Sequence, residues 1–207
     1  MANEEQAQLT VMVSSSVRHK EPMLDQIYGL LDGLGYKVWM SYRGTVPVIP
    51  GKSAFESCLV AAERCDLFFG IITPHYGSGV EDGELGITHR ELEIAVAKGK
   101  PRFMLAHEQV VLARRLLMDF GIKTKNERDA SGLTLKKGAV VIDDMRLIDM
   151  YELATMEHLD LKDRTDNWVQ PYKTPPEALL YTKEQFGRYD DNVGFVEEWR
   201  AKQVAAL

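Results

Sequence analysis

Cysteine is scarce in this chain, with only Cys58 and Cys65 present. Two thiols so close together exclude a disulfide framework and a structural zinc site, and their apolar surroundings predict small, reduced core residues. Long apolar runs are missing too. No stretch reaches the length of a membrane-spanning helix, and the opening "MANEEQAQLT" lacks the apolar segment of a secretion signal, so the expected address is the cytoplasm with no membrane partner. Positive charge is in deficit. With 25 Lys and Arg against 31 Asp and Glu, the net charge is -6, the wrong sign for a surface that displaces counterions from nucleic acid, and no nucleic-acid partner is expected. Neither G-x-G-x-x-G nor a Walker pattern occurs, so standard dinucleotide and P-loop sites do not follow. Among five histidines, His75 and His89 flank one loop without an H-x-x-x-H pair or a cysteine partner, and no metal is expected.

What the sequence does contain is a regular alternation of strand and helix patterns. "LTVMVSSS" (9–16) reads as a strand, and "EPMLDQIYGLLDGLG" (21–35) repeats apolar residues at helical spacing. "YKVWMSY" (36–42) is a second strand, followed by the loop "RGTVPVIPGKS" and a helix over 53–64 with Ser53 as its N-cap. "CDLFFGIIT" (65–73) is nearly continuous in apolar residues, as expected of a strand buried on both faces. A glycine-rich acidic loop (74–87), a helix (88–99), a strand (100–108) and a helix (108–121) come next. This order predicts a doubly wound, mostly parallel α/β sheet flanked by helices, because parallel neighbours need crossover connections. A core over 9–122 is expected to carry an extension over 123–207, with a polar loop, a fifth strand at "AVVI" (139–142), a helix at 143–160 and one or two helices in the tail. The aromatic side chains crowded into that tail suit core packing.

Ligands of open parallel sheets bind outside the carboxyl ends of the strands. Three segments meet there: "SSSVRH", "YRGTVPV" and "PHYGSGVEDGELGITHRE". Ser14, Ser15 and Ser16 are candidates for ribose or phosphate contacts and equally for caps and turns. Arg43 offers a guanidinium fork to anionic oxygens. Tyr76 can stack on a base, Gly77 admits close backbone approach, and Asp82 and Glu84 can act as acids or polarising groups, although loop carboxylates are more often solvated. Thr88-x-x-Glu91 has the form of a capping box, a helix-start device whose cap residue stabilises by about 0.5–2 kcal/mol.

"VMVSSS", "ERCDLFFGIITPHYGS" and "GITHRELEIAVAKGKP" together resemble a family of TIR-like domains often found ahead of signalling NTPases, itself similar to TIR domains and nucleoside 2-deoxyribosyltransferases. The resemblance covers roughly residues 9 to 107. It implies a flavodoxin-like (TIR-like) sheet and a nucleotide or nucleoside ligand, with NAD as a possible substrate and no resident cofactor. By motif, the glutamate that sits beside the scissile sugar carbon corresponds to Glu91, with Thr88 nearby. A carboxylate suits N-glycosidic cleavage because the ribose develops oxocarbenium character that an anion can stabilise or trap. The sequence departs from the related patterns in having Ile87 and Thr88 where catalytic TIR domains carry Trp-Cys, and Glu93 where deoxyribosyltransferases carry Gly. The alternative is a non-catalytic module for protein interaction or nucleotide sensing, and self-association is compatible with either.

Overall fold

The computed structural model describes residues 8–77 and 84–205. Its elements in chain order are β1 (Thr10–Ser15), α1 (Glu21–Gly33), β2 (Lys37–Trp39), α2 (Ala54–Arg64), β3 (Leu67–Ile72), α3 (Ile87–Ala97) and β4 (Arg102–His107). Then follow α4 (Glu108–Asp119), α5 (Lys125–Ala130), α6 (Arg146–Ala154), β5 (Val169–Tyr172), α7 (Pro175–Phe186) and α8 (Tyr189–Ala205). The five strands form one sheet in the order β2-β1-β3-β4-β5, and every pairing is parallel. This is the doubly wound arrangement the strand and helix alternation predicts.

Local chemistry explains the boundaries. In α1, Met23, Leu24, Ile27 and Leu31 form the buried stripe, and Gly35 takes a φ of 91° as the chain reverses into β2. Ser53 caps α2 as expected, completing a reciprocal box with Glu56. All six residues of β3 are buried, since helices cover both faces of the sheet. One apolar cluster packs α1, α7 and α8 against one face. The other cluster holds residues of α2, α3, α4 and α6 against the opposite face.

The expected fifth strand is misplaced in the sequence reading. Residues 139–142 form no strand; Val140 is 83% exposed, and only Ile142 of that segment is buried. The open edge of β4 is occupied by Val169–Tyr172 instead, a segment whose Pro171 suits an edge position but weakens its strand signal. The tail is therefore part of the sheet. It also supplies core: the ring of Phe186 lies 5.5 Å from that of Tyr36 and 5.0 Å from those of Phe69 and Phe103. The buried Tyr36 hydroxyl donates to the Phe186 carbonyl at 2.8 Å and accepts from Asn192 at 2.7 Å.

Truncating this ring to Phe186→Ala is expected to cost about 3–5 kcal/mol, the range for a fully buried aromatic. Urea unfolding measures it, and a loss below about 1 kcal/mol would contradict an integral role for the tail.

Candidate functional site at the carboxyl edge of the sheet

The strand order reverses between β1 and β3, so their following loops diverge and leave a switch point at their carboxyl ends. Ser14 of β1 lies beside Gly70 of β3 in the parallel register. Helix α3, which follows β3, packs over this junction, and its inward stripe is Thr88, Leu92 and Ala95 together with Glu91. A helix face at this spacing ordinarily carries apolar side chains. Here one of the positions is a carboxyl.

Glu91 is only 3% exposed, and the Ser14 hydroxyl donates to its Oε2 at 2.5 Å. Burial raises its pKa from 4.5 to about 8, with the Ser14 hydrogen bond opposing the shift. No cation pairs with Glu91 among the described residues, and the group is therefore a neutral acid at pH near 7. The nearby Cys58 thiol is pushed up to about 11 by its own burial and by the Glu91 charge. Cys65 is likewise buried and free.

The expected capping box at Thr88 and Glu91 is not formed. The helix begins one residue earlier, at Ile87, with Gly86 as N-cap and no side-chain cap. Glu91 thus falls beyond the first-turn position that could reach back to the cap, and its carboxyl turns inward to Ser14. Gly86 is demanded by space: a Cβ there would stand 2.5 Å from the Gly77 carbonyl oxygen. Thr88 is buried, its hydroxyl 3.4 Å from where a Gly77 Cβ would lie.

The serines do not cap α1, whose N-cap is Lys20 without a side-chain bond. Ser16 and Thr73 hydroxyls sit 2.5 Å apart and both lie within hydrogen-bond distance of the His75 carbonyl, tying the ends of β1 and β3 together. Ser15 bonds locally to the Ser16 carbonyl. Tyr76 is fixed on several sides: its N–H donates to Asp143 at 2.7 Å, and its hydroxyl accepts from the Gly86 N–H at 3.0 Å. Burial holds His89 below its usual imidazole range, and its Nδ1 and the Tyr76 hydroxyl are hydrogen-bonded at 2.9 Å. The Arg146 guanidinium covers one face of the Tyr76 ring at 4.2 Å, donates to the Glu84 carbonyl at 2.6 Å and pairs with Asp144.

Ser14, Ser16, Tyr76, Gly77, Thr88 and Glu91 thus converge. Arg43 does not join them, since it pairs with Asp25 at 2.9 Å over the Tyr28 ring. The Glu84 side chain is exposed, and Asp82 lies outside the described residues. Sequence reading missed Thr73, Asp143 and Arg146. Asp143 also holds the His75 ring at 3.1 Å, and its own N–H donates to the Pro74 carbonyl.

The chain belongs to the DUF4062 family, described as a domain of unknown function, whose model matches residues 10–143. That span runs from the first residue of β1 to Asp143 and contains Ser14, Tyr76 and Glu91. No curated protein matches the chain. Among the described residues, no helix is long and apolar enough to cross a membrane.

Folding lifts the Glu91 carboxyl from 4.5 to about 8, so between those values the native chain holds a proton that the unfolded chain has released. The stability this group allows is complete below its unfolded pKa and is lost as pH rises through the folded one. Glu91→Gln, which keeps the shape and stays neutral, is expected to gain on the wild type by a few kcal/mol between about pH 5 and about pH 8. Urea midpoints of both proteins at these two values check it. A difference that does not move with pH rules out a neutral buried Glu91.

Proposed function

We propose that this domain binds a nucleotide or nucleoside at the β1/β3 switch point and acts on its N-glycosidic bond through Glu91, with NAD the first substrate to test. The observation that carries the reading is a carboxyl on the buried stripe of α3, held among the described residues by Ser14 alone and shifted to about 8. Such a group costs stability and has no capping duty, which is the pattern of a residue retained for chemistry. The TIR-like resemblance of the same segments supports the same site.

A neutral acid is a poor nucleophile, and this narrows the substrate class. A base that is cationic while attached, as nicotinamide is, brings positive charge beside the carboxyl and lowers its pKa. The proton passes to solvent, and the carboxylate then faces the ribose carbon. The C–N bond breaks with its electron pair leaving on the base, which departs neutral. The carboxylate stabilises or traps the oxocarbenium centre, and water completes hydrolysis by adding hydroxide to that carbon and returning a proton. Ser14 orients the carboxyl throughout.

The near-complete burial of Glu91 favours a second reading, a module that senses a nucleotide without cleaving it, or associates with protein partners. Incubating the protein and Glu91→Gln with NAD, and separately with deoxynucleosides, distinguishes the two. Release of free base by the wild type, reduced at least about a hundredfold in the variant, is the expected result for a residue contacting the reacting carbon. Saturable binding without release in either protein supports the sensing module, and neither binding nor release at concentrations that permit self-association removes the nucleotide reading.

A further inference from the structure

The amino edge of the sheet, opposite Glu91, carries an unusual pair of buried cations. Arg102 opens β4 and is 9% exposed. Its Nε has no hydrogen-bond partner, and its two terminal nitrogens reach only the Lys100 and Thr165 carbonyls, each at 3.5 Å. Lys100 is 0% exposed; its ammonium donates to the Cys65 carbonyl at 2.7 Å and lies 4.3 Å above the Trp199 ring. Neighbouring acids are already engaged, Asp66 by Arg200 at 2.6 Å and Glu63 by Lys98 at 2.9 Å. Among the described residues, no carboxylate forms an ion pair with Arg102 or Lys100. A guanidinium removed from water without a carboxylate is costly, and a fork of N–H donors is shaped for an oxyanion.

A cavity of about 240 Å³ is lined by Arg102, Phe103, Phe195, Trp199 and Lys202. Its wall is built in advance: the Trp199 indole donates to the Lys98 carbonyl at 3.0 Å. Asp166 and Glu198 also border it, and Asp166 is the acid whose charge most nearly reaches Arg102. We propose that this cavity is a second ligand site, for a small organic oxyanion whose carboxylate or phosphate meets Arg102 and Lys202 while its planar apolar body lies against Phe103, Phe195 and Trp199. It stands apart from the Glu91 site, because β4 runs roughly 17 Å from Arg102 to the carboxyl edge. It therefore does not depend on the proposed glycosidic activity.

Isothermal calorimetry with phenyl phosphate, benzoate and inorganic phosphate tests the proposal on the full chain. Phenyl phosphate or benzoate is expected to bind saturably and more tightly than inorganic phosphate. Arg102→Gln should weaken that binding at least about tenfold, in keeping with loss of a charge-assisted hydrogen bond. Lys202→Ser, a surface change that leaves the fold alone, should weaken it about threefold, and Asp166→Asn should tighten it. Absence of saturable binding by both aromatic probes overturns the proposal. So does undiminished binding in Arg102→Gln or, should that variant fail to fold, in Lys202→Ser. Equal affinity for inorganic phosphate and the aromatic probes overturns the apolar wall.

Discussion

Parallel pairing of β1 with both β2 and β3 constrains everything else in this molecule. A parallel neighbour is reached only through a crossover, and crossovers of the usual hand place α1 and α2 on opposite faces of the sheet. The loops leaving β1 and β3 must then part, and the switch point between them is a consequence of topology before any side chain is chosen. Ser14 is the residue of β1 at that junction. Glu91 is one turn into the helix that covers it. Their hydrogen bond forms where β3 sits beside β1, with Gly70 opposite Ser14.

An apolar side chain at position 91 would complete the stripe formed by Leu92 and Ala95 at lower cost. Desolvating a carboxyl inside the sheet-facing surface of α3 is unfavourable, and a single hydroxyl donor offsets only part of it. The surrounding groups do nothing to reverse the balance: Cys58 is neutral, His89 is held neutral, and Arg146 is committed to Asp144 and Tyr76. This environment keeps Glu91 protonated at neutral pH.

The fold was largely legible in the sequence because its signals are local. The apolar run of β3, the 3.6-residue stripe of α1 and the Ser53 box each declare an element within a dozen residues. The fifth strand was not legible, since "VQPY" is short and proline-bearing while "AVVI" has the better strand composition. Which of them pairs is decided by the free edge of β4, a fact about three dimensions. The site was legible in part. Ser14, Tyr76 and Glu91 stood in recognisable segments, but the motif around Glu91 pointed as strongly to a cap, and only the actual start of α3 at Ile87 removes the cap. Asp143 and Arg146 carried no signal because their partners lie some 60 residues upstream in the chain.

Those two residues change how the site must be understood. Asp143 binds the Tyr76 N–H and the His75 ring, and Arg146 spans from the Tyr76 ring to the Glu84 carbonyl. Asp143 lies just before α6 and Arg146 is its first residue, and α6 is itself held by the Arg128 pairs with Asp149 and Glu152. Arg114 of α4 joins the same network through Glu152 and Glu157. Since buried guanidinium pairs resist partial rearrangement, because breaking one leaves an unpaired charge, the position of α6 is stiffly defined. His75, Tyr76 and Glu84, which follow β3, are therefore held by residues far beyond the first four strands, and the geometry around Glu91 is a property of the sheet and its extension together.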